Sequence, residues 1–306
     1  MAESTSAAAT KKVIFVVGPT ASGKSGWAFK EASRTLGSII NIDSVQFYKG
    51  LEVGSAAPTS KEKNQVPHHL YSYVEAPNEM TAGKYVTEFY KLLEKPELKF
   101  PLFIVGGTGF YIQALEKGMF DIEPVSVDIR NKLESELSEN GPDILYQELI
   151  RKDPDTKIHL NDHYRIVRAL EIIRATGKTP SSMKTENLLK NNLFPYPFLK
   201  VGFTFEKEIF QTRVGARTKF MIENGLLEET QYFLKNNFQN WAPLASVGYR
   251  ESVQFLLENK TKDWLHENIV LSTMQLIKKQ KTWFKRDATI LWSEQARHIE
   301  QFLHED

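Results

Sequence analysis

No cysteine occurs anywhere in the chain. Disulfides, zinc-thiolate centres and thiolate nucleophiles are thereby excluded, and the composition fits a reducing compartment. Long apolar runs are missing too. Nothing approaches the roughly 18–20 consecutive apolar residues of a membrane-spanning helix. The opening stretch, MAESTSAAATKK, is small and polar and has no apolar core of a secretory signal. The expectation is a cytoplasmic, soluble protein with no membrane partner and a flexible tail over residues 1–11. A surplus of one charge is also absent. Lys and Arg number 39 against 38 Asp and Glu. Bulk charge therefore neither demands nor forbids nucleic acid, and a polyanion would have to meet a local basic patch. No internal repeat is visible. What is present is ordinary for a globular protein, 41% apolar and 25% charged, with enough length for one large domain and a smaller module.

Val13–Val17 is a continuous apolar run between lysines and Gly18, which predicts a buried parallel strand. A Gly-rich turn over 18–23 leads into helical sequence from Lys24 to Leu36, with Gly37 as its stop. Ser38–Ile42 and Pro101–Val105 read as further apolar strands, the first ending in Asp43 and the second in Gly106-Gly107-Thr108. Residues 109–117 read as a helix. Strand–helix alternation of this kind predicts an α/β fold with a parallel sheet covered on both faces. Strand signals then stop between about Phe120 and Tyr196. Ile129, Leu133 and Leu137 mark one helix face, and Gly141-Pro142 breaks it. Ile166, Val167, Leu170 and Ile173 mark another, with Asn161 or Asp162 as N-cap and Gly177 as stop. This predicts a helical insertion over 120–196 within a core formed by 1–119 and 197–306. Lys200–Phe205 would return to the sheet, helices would fill Lys207 to Trp283, and Ala288–Trp292 would be the last strand.

Gly18, Pro19, Thr20, Ala21, Ser22, Gly23, Lys24 and Ser25 match G-x-x-x-x-G-K-[ST] in full, between a strand and a helix where that motif must lie. Glycines let backbone N–H groups converge on phosphate oxygens, and the helix N-terminus adds its positive end. Lys24 offers a charge to the terminal phosphates and Ser25 a hydroxyl to Mg²⁺. A γ-phosphate enzyme usually has a second acid closing an apolar strand to place the metal. Here the strand PLFIV ends in Gly-Gly-Thr, and the acid follows the second strand, at Asp43. Asp43 is a metal-holding group, a base or a turn cap.

Further blocks follow in order: DSVQFYKGLEVGSAAPT at 43–59, PHHL at 67–70, VGGTGFYIQAL at 105–115, HLNDHYRIVRALEI at 159–172 and SVGYRE at 246–251. With GPTASGKS they resemble the tRNA dimethylallyltransferases, also called tRNA isopentenyltransferases, over nearly the whole chain. Two positions depart from that family's pattern, Ala57 where a Lys is usual and Met274 where an Arg is usual, and Lys279 replaces another Arg. No zinc-finger extension follows, so the resemblance is to the bacterial type. The resemblance implies a P-loop NTPase-like core and the transfer of a dimethylallyl group from its diphosphate to the exocyclic amine of the adenine beside the anticodon. The adenine must leave its stack to be reached. By the same resemblance Asp43 is the general base, Thr108 positions the base or the adenine, and Arg213 binds diphosphate together with the cradle. Arg217, four residues on, can share its helix face. The residues implied for tRNA are Asp43, Ser44, Val45, Gln46, Arg130, Tyr164, Arg165, Ile166, Val167, Arg168, Ser246, Val247, Gly248, Tyr249 and Arg250. Gln46 has the amide for a bidentate adenine contact.

Each of these residues also has a plainer reading. Thr108 can simply cap a helix, and Arg213 with Arg217 can be a solvated basic face. Lys278, Lys281 and Lys285 form a stripe that suits tRNA backbone or mere solubility, backed by Ile269, Leu276 and Trp283. His68 and His69 lack a third ligand and are read as loop contacts rather than a metal site. Phe110 and Tyr111 are expected in the core rather than stacked on a base. The partners expected are tRNA and dimethylallyl diphosphate, with Mg²⁺ as cofactor and a monomeric chain. Competing functions are a P-loop kinase of a small metabolite, a nucleotide-gated RNA-binding module, and a prenyltransferase acting on free AMP.

Overall fold

The computed structural model describes residues 11–118, 125–183 and 194–292. The expected tail, but for Lys11, lies outside them. The chain divides into two compact units, Met1–Ile112 with Pro195–Asp306, and Gln113–Phe194.

The first unit is built on β1, Val13–Val17, whose five residues are completely buried. A strand with no exposed side chain needs cover on both faces, which suits the middle of a parallel sheet. β1 pairs in parallel with β4, Leu102–Gly106, on one side and β5, Phe198–Gly202, on the other. β2, Ser38–Asn41, lies beyond β4, and β3, His68–His69, beyond β2. β6, Ile290–Trp292, flanks β5. The order is β3-β2-β4-β1-β5-β6, with every pairing parallel. One face of β1, with Ile14 and Val16, packs on Ala28 and Ala32 of the helix Lys24–Thr35 and on Ile39, Phe103 and Val201 from neighbouring strands. Two alanines on the contacting turns bring that helix close to the sheet. Each fully buried aliphatic side chain contributes about 1.5–3 kcal/mol of transfer free energy.

The strands and helices fall close to their expected places, with four corrections. The helix from Lys24 ends through Leu36, which takes the left-handed conformation and is exposed; Gly37 follows it. The returning strand spans Phe198–Gly202, earlier than expected. His68 and His69 form an edge strand rather than a loop. Between β2 and β4 lie three helices that hydrophobic periodicity did not mark, Glu52–Ser55, Ser60–Gln65 and Ala82–Leu93. The first two are too short for a periodic signal; the second is set by a capping box between Thr59 and Glu62.

The second unit is helical where it is described. Val127–Asn140, Pro142–Lys152 and His163–Thr176 close on Leu133, Leu145, Leu149, Ile166, Leu170 and Ile173, with Ile129 and Leu137 at the edge. Asp162 caps the third helix through the Arg165 N–H, and Gly177 ends it in the left-handed region. Arg174 joins all three helices, donating to both carboxylate oxygens of Glu136 and of Glu148. No helix among the described residues is long and apolar enough to cross a membrane.

Candidate active site

The carboxyl ends of β2, β4, β1 and β5 are neighbours, so the segments that leave them meet at one edge of the sheet. β1 leads into Gly18–Gly23 and β2 into Asp43. β4 leads into Gly107-Thr108, and β5 into Phe203. A ligand site at the carboxyl ends of an open parallel sheet is the usual arrangement.

The cradle is bent by Gly18, Ala21 and Gly23, all with positive φ. Lys24 opens the following helix and is buried. Its Nζ donates to the Pro19 carbonyl at 3.2 Å. Burial pushes its pKa down to about 8, against the pull of Asp43 and with the push of Arg217. Arg217 is likewise shifted down by burial and held up by Asp43. Its guanidinium donates to the Thr20 hydroxyl at 3.1 Å and to the Ser55 carbonyl at 3.3 Å. Arg213 lies 4.1 Å over the Phe205 ring and donates to the Ala21 carbonyl at 3.4 Å. The expected pair thus does share one helix face and meets the cradle. Three cations with one nearby carboxylate are an environment short of negative charge, ready for an anion with several oxygens.

Asp43 follows an Asx arrangement. Its N–H donates to Asn41 Oδ1 at 2.8 Å, and its own Oδ1 accepts from the Val45 N–H at 3.0 Å. Gly106 makes this possible: a Cβ there would lie 2.6 Å from the Ile42 carbonyl carbon and 2.8 Å from the Asp43 nitrogen. Thr108 accepts the Ser44 N–H at 3.0 Å through its hydroxyl. Its carbonyl receives the N–H groups of Tyr111 and Ile112 in the helix Gly109–Lys117. The phenols of Tyr71 and Tyr111 stand near Asp43 and are held protonated, first by burial.

Other expected residues divide by exposure. Gln46 donates both amide hydrogens, to the Ser55 and Ala56 carbonyls at 2.9 and 3.0 Å. In this structure both hydrogens therefore brace the Ser55–Ala56 loop. Tyr249 is fully buried and donates to Glu229 at 2.6 Å; Ile166 is sealed in the helical unit. Val167 shows only an edge, at the wall of a cleft lined by Arg130, Tyr164, Arg168 and Glu171. For these three side chains the expected RNA contact is corrected to support. Arg130 and Arg168 both pair with buried Glu171, and Arg165 pairs with Asp162. Tyr164 is exposed. Ser246 donates to the Pro243 carbonyl, Val247 is half-buried, and the Gly248 N–H donates to Glu251. Arg250 is held by Glu251 and Ser272. Lys278 is exposed, whereas Lys281 donates to the Phe205 carbonyl. Phe110 is corrected from core to surface, at 52% exposure, while Tyr111 stacks on Phe47 and Tyr85 as a core residue should. Met274 joins the apolar cluster of Phe210, Val214 and Ile277 that also receives Ala21 of the cradle.

In the sequence Gln280 is visible only as the last residue of the family's C-terminal TRQ…KRQ pattern, and Phe205 only as the end of a strand. Gln280 accepts the Thr20 N–H at 2.9 Å and donates to the Gly107 carbonyl at 3.0 Å. The signal available was the Gly-Gly-Thr-Gly run itself: a Cβ on Gly107 would lie 2.4 Å from Gln280 Nε2.

Comparison with known proteins closes the case. A family model described as "IPP transferase" matches residues 46–287, and one described as "Isopentenyl transferase" matches residues 11–72. The tRNA dimethylallyltransferase of Bdellovibrio bacteriovorus is 45% identical over 94% of both chains, and that of Geobacter metallireducens 35% identical over 95% of both. Among solved structures, the tRNA isopentenylpyrophosphate transferase of Bacillus halodurans superposes with a TM-score of 0.65 at 28% identity, covering 96% of this chain and 95% of its own. A eukaryotic dimethylallyltransferase acting on tRNA gives 0.77 at 28% identity, covering 96% of this chain and 77% of its own. The fold is P-loop NTPase-like, and the chain belongs to the tRNA dimethylallyltransferase (IPP transferase) family.

Proposed function

We propose that the chain is a prenyltransferase that moves a dimethylallyl group from dimethylallyl diphosphate to the exocyclic amine of an adenine in tRNA. One observation carries the chemistry. A diphosphate cradle leaves β1 and a carboxylate follows β2, on either side of β4, whose Thr108 holds the carboxylate's segment through the Ser44 N–H. The amine nitrogen attacks C1 of the donor. The C1–O bond breaks with its electron pair going to diphosphate, and the amine proton passes to Asp43. With Oδ1 held by the Val45 N–H, Oδ2 is the oxygen that takes it. Lys24, Arg213, Arg217 and the cradle N–H groups stabilise the charge that grows on the leaving oxygens. Thr108 sets Asp43's segment against the acceptor.

Mg²⁺ fits as an ion brought with the diphosphate. Ser25 exposes a hydroxyl on the cradle's helix, and no cluster of three carboxylates or imidazoles exists among the described residues. Its remaining ligands would then be diphosphate oxygens and water, and it would neutralise leaving-group charge. Exposed Arg165, Tyr164 and Lys278 are the groups we assign to tRNA, backbone contacts first.

The test uses labelled dimethylallyl diphosphate and an anticodon stem-loop. Asp43→Ala abolishes transfer while stem-loop affinity stays within about threefold, since deleting a catalytic base removes on the order of 10²–10⁴ in rate and no binding. Wild-type turnover in the variant removes Asp43 as the base. Transfer of label from ATP to a small metabolite, with none from the prenyl donor, replaces the whole reading with a kinase.

A further inference from the structure

Gln280 projects from the long helix Lys262–Phe284 to the point where the cradle meets the end of β4. Its carboxamide makes two bonds of opposite sense. The Thr20 N–H requires an acceptor and the Gly107 carbonyl requires a donor, so only one orientation of the amide satisfies both. Each end of this bridge leads directly to reaction machinery. Thr20 belongs to the cradle, and its hydroxyl receives the Arg217 guanidinium. Gly107 precedes Thr108, whose hydroxyl holds the Ser44 N–H beside Asp43. A continuous chain of bonds therefore runs from the diphosphate cradle through Gln280 to the base.

The side chain is fixed at its root. Trp283, three residues on and on the same helix face, packs against Gly109, where a Cβ would lie 2.0 Å from the indole nitrogen. Gly107 and Gly109 are the seats of two side chains from one helix. A carboxamide anchored in this way sets a spacing, and a flexible surface amide would not.

We propose that Gln280 is a positioning residue for prenyl transfer, the strut that fixes the gap between the leaving diphosphate and the Thr108–Asp43 side of the site. The proposal rests on the prenyl-transfer reading above. Donor and acceptor can each still bind when the strut is lost, but their reacting atoms fall out of register. Misplacement of about 1 Å is enough to cost on the order of 10²-fold in rate.

The experiment is steady-state transfer to an anticodon stem-loop, with each variant's Tm measured alongside. Gln280→Ala lowers kcat about 10- to 100-fold and leaves KM for donor and for stem-loop within about threefold. Gln280→Glu is nearly isosteric. It keeps the acceptor for Thr20 but sets a carboxylate oxygen against the Gly107 carbonyl, and it loses kcat as well; it carries the test should the alanine variant not fold. Gly107→Ala puts a methyl into the space of Nε2 and also lowers kcat. The double variant Gly107→Ala/Gln280→Ala is no slower than the slower single, because both break one strut. Wild-type kcat in Gln280→Ala overturns the proposal. So do a KM rise that accounts for the whole loss, or multiplicative effects in the double variant. If the wild-type chain transfers no prenyl group at all, it is the function that fails and not the strut.

Discussion

Lys24 shows how a single buried group sets the working conditions of the site. Its pKa is about 8 in the free protein against an ordinary 10.5, because burial strips its hydration, a cost that Asp43 only partly offsets and to which Arg217 adds. Between those two values the unfolded chain binds more protons than the folded one, so this residue makes stability rise with pH across that window. Its cost to stability is in full force below pH 8. Binding runs the other way. A diphosphate prefers the protonated amine, so donor affinity is flat below pH 8 and falls about tenfold per unit above it. Calorimetry of a diphosphate analogue at pH 9, in two buffers of different ionisation enthalpy, reads about one proton taken up on binding. Lys24→Ala binds more weakly and loses the pH dependence. Equal affinities of the wild type at pH 7 and pH 9 would refute this account of Lys24.

At the level of elements, the segment from Asp43 to Ser55 is held from several sides. Gln46 and Arg217 both donate to the Ser55 carbonyl, and Glu229 accepts the Val53 and Gly54 N–H groups at 2.7 and 3.1 Å. Glu229 reaches them from the helix Leu226–Lys235 and is itself steadied by the Tyr249 hydroxyl. Burial raises the Glu229 pKa despite these three donors. Tyr249→Phe removes one hydrogen bond to a carboxylate and costs about 1.5–3 kcal/mol of unfolding free energy. Because the ring is sealed, stem-loop affinity stays within about twofold. Denaturant unfolding and a binding titration check the two halves, and weakened RNA binding in a variant of native stability would contradict the structural role. None of this bracing was legible in the sequence. The P-loop was, because its whole signal lies in eight consecutive residues on a predictable strand–turn–helix frame. Asp43 and Thr108 were legible as strand-end residues and through the family resemblance. The bridge made by Gln280 and the contacts of Glu229 and Phe205 were not, since each acts across a long sequence separation that only the folded chain brings together. Phe110 failed for a related reason. In a nine-residue helix at the unit's edge, the apolar content does not say which side faces outward.

For the whole molecule, the balance of charge decides how tRNA would be drawn in. The parallel sheet was readable from apolar strand runs, but the distribution of its cations was not, because opposite charges cancel locally in ways only the structure records. Arg130 and Arg168 share the buried carboxylate of Glu171, and Arg250 is engaged by Glu251. Lys278 lies exposed on its helix, and Arg165 is exposed with only the surface carboxylate of Asp162 as partner. A formal net charge of +1 leaves little long-range attraction, so RNA affinity rests on a few phosphate contacts. The logarithm of the stem-loop association constant then falls linearly with the logarithm of salt concentration. Lys278→Ala weakens binding at low salt and makes the slope shallower by about one. Arg165→Ala does the same, whereas Arg250→Ala leaves the slope unchanged, because its charge is already compensated within the protein. Free AMP gives a much flatter salt profile, since it brings a single phosphate. A stem-loop titration with no salt dependence, or a Lys278→Ala slope equal to the wild type's, would mean that these cations do not meet the RNA and that recognition lies in the bases instead.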